Sequence, residues 1–379
     1  MTTFDLPQAE TRSELDARAL VASAKWAYTT RRIDLDRGAQ LITDPTTAPR
    51  IGDVVLARIT AVGQHKRIEL QTGRRATLYP GDVVGLCYGS RYAPDQFLAE
   101  IPADIGPCHM AAAGGIAAQV ELAHSAMGAA TAIEPIGLLA DSEGRRLNLR
   151  DAAIAPVSPL SSHRAPTIAV VGSSMNAGKT TTAAELVRGL RAAGLRVGAA
   201  KVTGTGAGGD VWLFTDSGAD VVYDFTAAGA PSTFGLDDET IREIFRTLTT
   251  QLAVDRTDVN VIEVADGLYH EETAALITHE LFRDQVDGVV FAARDALGAV
   301  AGVDWLADAG LPLLAVSGVL TASPLAMREL ERLDGELPVV DTMVLEQADR
   351  ALEVRDAALA ARTRHVPGLA AIAEDAKAV

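Results

Sequence analysis

The segment TIAVVGSSMNAGKTTTAAELVRGLRAAG, residues 167–194, joins an apolar run, a loop of small residues and an amphipathic stretch. The apolar run is short and rich in β-branched residues, which predicts a buried strand. The stretch after Lys179 has the apolar periodicity of a helix with one buried face. In a strand–loop–helix unit, the backbone N–H groups of the loop lie at the positive end of the helix dipole, where they can surround an anion.

The loop from Gly172 to Thr181 matches the pattern of a phosphate-binding P-loop. Lys179 would reach the β- and γ-phosphates of a nucleoside triphosphate, and the Thr180 hydroxyl would bind Mg²⁺. The common spacing puts a glycine at position 173, whereas this chain has Ser173 there and its glycine one residue earlier. A chance Gly-Lys-Thr is the alternative, and the strand–loop–helix context argues against it. The residues expected to contact the nucleotide are Gly172, Ser173, Ser174, Asn176, Ala177, Gly178, Lys179, Thr180 and Thr181.

Beyond the loop, apolar runs alternate with helical stretches as far as residue 345. The runs are TIAVV, RVGAAKVT, VNVIEVA, GVVFAA, LPLLAVSGV and LPVVDTMV. Strand and helix in alternation predict parallel strands with crossover helices, and continuous apolar strands indicate a sheet covered on both faces. We therefore expect an α/β, doubly wound, mostly parallel P-loop NTPase domain over residues 167–345, with a C-terminal helix and tail over residues 346–379.

The earlier part of the chain has a different pattern. Residues 1–45 are an acidic lead-in, and residues 46–155 contain short β-rich runs separated by glycines such as Gly63 and Gly81. This spacing predicts a smaller β-rich, barrel-like domain. An Ala/Gly-rich segment within it predicts a helix near residues 116–127. Proline and serine are dense over residues 156–166, which predicts a linker.

Charge and composition limit the expected partners. The formal net charge is −16 and aromatic residues make up only 4%, which argues against nucleic acid as a general partner. A basic cluster at Lys66, Arg67, Arg74 and Arg75 lies in the β-rich part, where a small barrel with such a patch could bind an oligonucleotide. The low aromatic content and the overall acidity favour a solvated face instead. Two cysteines form no disulfide framework, no signal peptide is evident, and no apolar run reaches the roughly 18 residues of a membrane span. We expect a cytoplasmic protein without a membrane partner.

Several acidic residues and one histidine are candidates for chemistry. Glu263 ends the run VNVIEVA, where ligand sites of open α/β sheets gather, and its carboxylate could hold Mg²⁺; a solvated strand-end carboxylate is the alternative. His270 could act as a general base or be an ordinary loop histidine. One or two of four aspartates could complete the magnesium shell, although turn and cap roles are commoner for any single one. The four are Asp210, Asp216, Asp220 and Asp224, of which Asp224 is preferred.

The glycine, five residues and Gly-Lys-Thr of this loop resemble the dethiobiotin synthetase branch of P-loop proteins. The segment RVGAAKVTGTG, residues 196–206, resembles the lysine-bearing second strand of that family, which implies that Lys201 binds substrate or phosphate. A closer likeness is to an uncharacterised P-loop family, through DSGADVVYDFTAAGA and VIEVADGLYHE. That likeness supports Asp224 and implies a polar cluster of Glu263, Asp266 and His270. Both resemblances cover residues 166–345 only.

Together these features predict a Mg²⁺- and ATP-dependent kinase or ligase acting on a small molecule, with Lys179, Lys201, Glu263 and His270 as catalytic residues. ATP is favoured over GTP because the strand end SGVLTAS lacks the Asn-Lys-x-Asp pattern that reads guanine. The first alternative is a regulatory NTPase that switches a protein partner or an oligomer, and the second is a module that senses nucleotide through the β-rich domain. By analogy with dethiobiotin synthetase-type sites, a homodimer or higher homo-oligomer is plausible.

Overall fold

The computed structural model describes residues 12–38, 40–155, 157 and 164–365. Two compact units divide the chain. The first contains the residues up to Ala153 together with the short segments 205–208 and 229–232, and the second contains the rest. The start of the predicted lead-in, most of the predicted linker and the tail after residue 365 lie outside the described residues.

Most of the regular structure of the first unit is β-strand, which agrees with the predicted β-rich character. Its one described α-helix is α1 (Arg12–Ser23). Its strands are β1 (Lys25–Trp26), β2 (Gln40–Ile42), β3 (Val54–Ala61), β4 (Arg67–Glu69), β5 (Arg75–Thr77), β6 (Val83–Tyr88), β7 (Arg91–Tyr92), β8 (Phe97–Glu100), β9 (Cys108–Ala112), β10 (Ile116–Ala123) and β11 (Thr131–Ala140).

Five of these strands close on themselves. β6, β3, β11, β9 and β10 pair in that order with antiparallel neighbours, and β10 returns to β6 through a parallel pairing of Ile116 with Cys87. Closure leaves these strands without open edges. Residues such as Val55, Leu86 and Met110 fill the interior. Cys87 and Cys108 are buried and form no disulfide, and burial raises the pKa of each thiol to about 12.

The helix predicted near residues 116–127 is wrong, because Ile116–Ala123 is strand β10. Alanine-rich sequence favours a helix locally. This segment instead pairs with the preceding strand β9 and with β6 and β8, so its backbone hydrogen bonds are made between strands. Pairing across the barrel therefore overrides the local preference.

The second unit alternates strands and helices. Its strands are β12 (Thr167–Gly172), β13 (Val197–Lys201), β14 (Val221–Asp224), β15 (Val259–Glu263), β16 (Gly288–Ala292) and β17 (Leu313–Ser317). Its helices are α2 (Lys179–Ala192), α3 (Gly209–Asp216), α4 (Asp238–Val254), α5 (Glu271–Ile277), α6 (Glu280–Gln285), α7 (Ala296–Asp308), α8 (Pro324–Leu333) and α9 (Ala348–His365).

The six strands form one sheet in the order β14-β13-β15-β12-β16-β17, and every pair in it is parallel. This confirms the predicted α/β fold with a parallel sheet. The strands differ from the prediction at two places. Val221–Asp224 is a strand that the sequence did not suggest, whereas LPVVDTMV makes only an isolated bridge, Val316 to Val339, before a short 3-10 helix.

Local signals begin several helices in this unit. The Asp237 side chain accepts a hydrogen bond from Thr240 N at the start of α4, and Asp295 accepts one from Gly298 N at the start of α7. Such caps satisfy N–H groups that lack an intrahelical partner. The apolar faces of α2 and α9 then pack on the sheet, with Leu186, Leu190 and Val354 in one buried cluster. No helix among the described residues is long and apolar enough to cross a membrane.

An ion pair anchors the start of the central strand β12. Arg164 donates two hydrogen bonds to the Asp287 carboxylate, at 2.6 and 2.7 Å, and Thr167 N donates to the same group at 2.7 Å. The Asp287 side chain is 1% exposed. It therefore joins β12 to the start of β16 through a buried carboxylate whose partners would otherwise be unsatisfied.

We expect Asp287→Ala to lower the free energy of unfolding of the second unit by about 3–5 kcal/mol, because it leaves the Arg164 guanidinium without its buried counter-ion. Chemical denaturation would measure the loss. Asp356→Ala is the control, since it removes an exposed carboxylate paired with Arg355 and should cost less than about 1 kcal/mol. Equal losses for the two variants would contradict the anchoring role.

Candidate nucleotide-binding site

The loop between β12 and α2 turns sharply through two left-handed residues. Asn176 has φ 61° and Gly178 has φ 96°. A Cβ atom at Gly178 would lie 3.0 Å from Val319 N, and one at Gly172 would lie 2.8 Å from the Lys179 Cγ atom. Glycine is thus required at Gly178 by backbone conformation and at Gly172 by space. The glycine displaced from the common P-loop spacing makes room for the stem of the lysine.

Neighbouring strand ends hold this loop in place. Ser173 N donates to Ala292 O at 3.0 Å, at the end of β16, and Val319 N donates to Ala177 O at 3.0 Å, just after β17. The loop is therefore attached near its start and near its end to the same edge of the sheet. These two attachments fix where Lys179 and the threonines after it lie.

Lys179 is folded back over its own loop. Its side chain is buried, with the residue 5% exposed, and its Nζ atom donates to Ser174 O at 2.9 Å. Burial lowers the pKa of the Lys179 ammonium below its ordinary value, and the carboxylates of Glu263 and Asp266 oppose that shift. An ammonium that has lost its water and has few protein acceptors is a favourable partner for phosphate oxygens.

Glu263 lies at the end of β15, the strand beside β12, and is 2% exposed. Its Oε1 atom accepts a hydrogen bond from Thr180 Oγ1 at 3.1 Å. Its Oε2 atom is buried and has no hydrogen-bond partner among the described residues. Burial raises the pKa of Glu263 above its ordinary value, although the Lys201 ammonium opposes the change. A buried carboxylate oxygen without a partner is costly, so the geometry fits a water or a cation at this point.

Lys201 ends β13 and stands between two carboxylates. Its Nζ atom forms an ion pair with Asp210, in the first turn of α3, and lies 3.5 Å from Glu263 Oε1. Burial would lower the pKa of Lys201, but Glu263 and Asp210 outweigh it and raise the pKa above its ordinary value. The surroundings therefore favour the charged form of Lys201, whereas burial acts against the charge of Lys179.

These groups line one cavity of about 430 Å³. That volume is in the usual range for a small-molecule site. Its lining residues are Met175, Asn176, Gly178, Lys179, Thr180, Thr181, Lys201, Asp210, Glu263, Ala265, Asp266 and Val319. The structure thus brings both lysines and Glu263 together with five of the predicted loop residues at the carboxyl edge of the parallel sheet. The five are Asn176, Gly178, Lys179, Thr180 and Thr181, whereas Gly172, Ser173, Ser174 and Ala177 do not line the cavity.

Other predicted residues lie outside this lining. The Asp224 carboxylate accepts hydrogen bonds from Thr226 Oγ1 at 2.6 Å and Ala227 N at 3.2 Å, within the turn after β14. His270 precedes α5, with its Nδ1 atom 3.0 Å from Glu272 Oε2. Asp216 is exposed at the end of α3. Of the four aspartates considered, the cavity contains Asp210 rather than the preferred Asp224.

Asp220 is the fourth of the candidate aspartates. Its carboxylate accepts a hydrogen bond from Val197 N at 2.8 Å and forms an ion pair with Arg191, which indicates a structural role. Sequence reasoning also missed Ala265 and Val319 as lining residues. Each lies within two residues of a strand end, at the same edge of the sheet as the P-loop, and that position is the signal that could have found them.

Magnesium would find oxygen ligands here without a complete protein cage. Among the described residues, no group of three or more His, Cys, Asp or Glu is arranged to hold a metal ion. Mg²⁺ commonly uses one or two protein oxygens together with water and phosphate oxygens. The Thr180 hydroxyl and the partnerless Glu263 oxygen fit that mode of binding.

Comparison with known proteins finds likeness at the level of solved structures. No family model matches the chain, and no curated protein matches it. Chloroplast FtsY from Physcomitrella patens is 14% identical with a TM-score of 0.35, covering 55% of this chain and 70% of that chain. The signal recognition particle receptor FtsY from Elizabethkingia anophelis, in complex with GDP, is 18% identical with a TM-score of 0.35, covering 55% and 68%. The signal recognition particle 54 kDa protein from Aeropyrum pernix K1, also in complex with GDP, is 17% identical with a TM-score of 0.34, covering 57% and 54%.

These findings correct several expectations. Two of these three structures are named as signal recognition particle proteins and the third as chloroplast FtsY, and none of the three is named as a dethiobiotin synthetase, a kinase or a ligase. The expected likeness to the dethiobiotin synthetase branch is not supported, and the expected kinase or ligase activity and small-molecule substrate are wrong. ATP in particular gains no support from the comparisons. The assignment of a P-loop NTPase fold is unchanged, because it is supported by the chain's own strand–loop–helix geometry and parallel sheet.

We expect Glu263→Gln to abolish most of the Mg²⁺ dependence of nucleotide affinity, because an amide is a much poorer magnesium ligand than a carboxylate. Titration of a fluorescent triphosphate with Mg²⁺ and with EDTA would measure it. Asp224→Asn is the matched control. It removes a buried carboxylate at the end of β14, which β13 separates from β15 in the sheet, and it should keep the Mg²⁺ dependence. Loss of that dependence in Asp224→Asn, with its retention in Glu263→Gln, would reverse the assignment.

Proposed function

We propose that this chain is a magnesium-dependent nucleoside triphosphatase of the regulatory kind, whose nucleotide state controls a protein partner. The observation that carries the proposal is the ion pair between Lys201 and Asp210 inside the nucleotide-sized cavity. It gives the cavity a charged contact that competes with phosphate. A contact of this kind can differ between the triphosphate and diphosphate states.

The proposal assigns phosphate binding to the P-loop. Backbone N–H groups of the loop and the Lys179 ammonium would bind the β- and γ-phosphates. Thr180 and Glu263 would hold Mg²⁺, which when bound neutralises phosphate charge. Lys201 would lie near the same phosphates, because it stands 3.5 Å from Glu263 Oε1. Two buried ammonium groups would then stabilise charge that develops on the transferred phosphoryl group.

The ion pair between Asp210 and Lys201 would break when a γ-phosphate is present. Lys201 can pair with Asp210 or with a phosphate oxygen, and a triphosphate offers more negative charge than one carboxylate. The helix that carries Asp210 has eight residues, of which only Val211 and Phe214 are buried. Short elements with few buried contacts open at low free-energy cost. The start of α3 is therefore the element whose position the nucleotide would control.

ATP is the proposed nucleotide, on sequence grounds alone. The segment after β17, SGVLTAS, lacks the Asn-Lys-x-Asp pattern for guanine. Competition of unlabelled ATP and GTP against a labelled nucleotide tests this choice. Tighter binding of GTP would contradict ATP and leave the phosphate site intact.

We expect Lys179→Ala to lower triphosphate turnover by about 10²- to 10³-fold, the usual effect of removing one group that stabilises transition-state charge. Release of inorganic phosphate would measure turnover, and triphosphate affinity should fall more than diphosphate affinity. Arg188→Ala, which removes an exposed cation on the same helix, is the control and should retain turnover. Failure of the wild-type chain to bind any nucleoside triphosphate would overturn the proposed function.

We expect residues 209–216 to exchange their amide hydrogens faster with a non-hydrolysable triphosphate than with the diphosphate, because the γ-phosphate displaces Asp210 from Lys201. Mass spectrometry of hydrogen exchange would measure the difference. Asp210→Asn should exchange fast in both states, whereas Asp216→Asn, at the other end of α3, should keep the difference. Identical exchange in the two states, with both nucleotides bound, would contradict the switch.

A further inference from the structure

A hairpin on the first unit carries an outward face that the nucleotide site does not use. Strands β4 and β5 pair with each other and with no other named strand, in the register Arg67 opposite Thr77 and Glu69 opposite Arg75. We call the exposed set on this hairpin the hairpin face. Its members are Arg67, Arg75, Thr77 and Tyr79 on the outward side, together with Lys66 and Arg74, which are exposed directly before β4 and β5.

The alternation of a strand builds this face. Along β5 and its continuation, Arg75, Thr77 and Tyr79 are exposed, whereas Ala76 and Leu78 between them are buried. The buried residues belong to the barrel core, so the inner side of the hairpin is packed. Leu78 N also donates to Lys66 O at 3.0 Å, which continues the pairing toward Tyr79. Side chains two residues apart on a strand point the same way, so the two exposed arginines and the ring share one side.

The four cations of the hairpin face are without partners in the described part of the chain. The side chains of Lys66, Arg67, Arg74 and Arg75 make no hydrogen bond or ion pair with any described residue. Nearby Lys25, in contrast, is paired with Asp82. The whole chain carries a formal charge of −16, so acidic groups are abundant elsewhere. Four uncompensated cations on one small hairpin concentrate positive potential where most of the surface repels polyanions.

An exposed aromatic ring lies on the same face. Tyr79 is 63% exposed, and its backbone N donates to Asp82 Oδ2 at 2.8 Å, which fixes the start of its side chain. The Lys25 ammonium lies 5.6 Å from the ring centroid. The sequence interpretation of a solvated basic face rested on the low aromatic content, and the structure places a ring beside the cations.

We infer that the hairpin face binds single-stranded nucleic acid. The arginines and lysine would contact successive phosphates, and a base would stack on the Tyr79 ring, which is the usual combination for single strands. Arginine suits phosphate because its planar fork donates two parallel hydrogen bonds. A single strand alternates phosphates and flat bases at short intervals, which matches cations and a ring on one small hairpin, whereas an acidic protein segment or an anionic membrane offers negative charge without that alternation. The inference does not depend on the nucleotide site.

Binding should depend steeply on salt. Four phosphate contacts on a single strand predict a slope of about −2.8 for log affinity against log salt, which is about 50-fold weaker binding at 200 mM than at 50 mM salt. The probe is a fluorescein-labelled thymidine oligomer of about 16 nucleotides, the upper end of the site size for one small barrel. Fluorescence anisotropy with the full chain and no added nucleotide would measure the affinity.

Charge-removal variants then locate the surface. Arg67→Ala with Arg75→Ala leaves two cations, so the slope should fall to about −1.4 and the affinity at low salt should fall at least about tenfold. The matched control is Arg50→Ala with Arg328→Ala, which removes two exposed arginines outside the hairpin and should leave the slope unchanged. Thermal unfolding would verify that both double variants fold. Equal weakening by the two double variants would overturn the inference in favour of a general charge effect.

The ring provides a second test. Tyr79→Ala should weaken binding several-fold with an unchanged salt slope, and Tyr79→Phe should restore it, because stacking needs the ring and not the hydroxyl. Poly-glutamate that competes as well as the oligomer at equal charge would overturn the inference in favour of an acidic protein partner. Binding to phosphatidylserine vesicles without binding to the oligomer would overturn it in favour of a membrane surface. No binding to the oligomer at low salt would also overturn it.

Discussion

Burial of the Glu263 carboxylate at the end of a central strand is the constraint on which the candidate site depends. A parallel sheet brings the carboxyl ends of β12, β13 and β15 to one edge, so the loop after β12 and the side chains ending the other two strands meet there. One carboxylate oxygen is satisfied by Thr180, while the other is buried without a hydrogen-bond partner among the described residues. The site is thus assembled around a negative charge that the protein only partly compensates, which suits a bound cation.

The two lysines of the cavity differ in how the fold treats their charge. Lys179 is desolvated and donates to its own loop, and its pKa is lowered by burial. Lys201 is equally enclosed, but Asp210 and Glu263 hold its pKa above the ordinary value. Phosphate would complete the surroundings of the first lysine, whereas it would have to displace a carboxylate from the second. In the proposed function, this difference lets Lys201 and the short helix that carries Asp210 respond to the presence or absence of the γ-phosphate.

The correction of the proposed activity follows from how little a P-loop says about what its nucleotide is used for. The loop, the metal-binding threonine and the strand-end carboxylate serve transferases and regulatory hydrolases alike, because they bind the phosphates and not the second reactant. Asp224, expected in the magnesium shell, and His270, expected as a general base, make local contacts outside the cavity lining. The first unit has a closed barrel and a charged hairpin, and the motifs of the nucleotide-binding half predict neither of them.

By itself, the sequence determined the strand–loop–helix unit at residues 167–194, the parallel α/β character of the second half and the β-rich character of the first. These properties depend on hydrophobic period and on Gly-rich turns, which are local. Only the tertiary structure decided that Ile116–Ala123 is a strand, that Asp210 rather than Asp224 lies in the cavity, and that Tyr79 shares a face with Arg67 and Arg75. Each of these depends on which strands pair or which elements end at the same edge of the sheet. The partners of β10, for example, include β6 and β8 as well as the adjacent β9, and no local pattern within residues 116–123 encodes that choice.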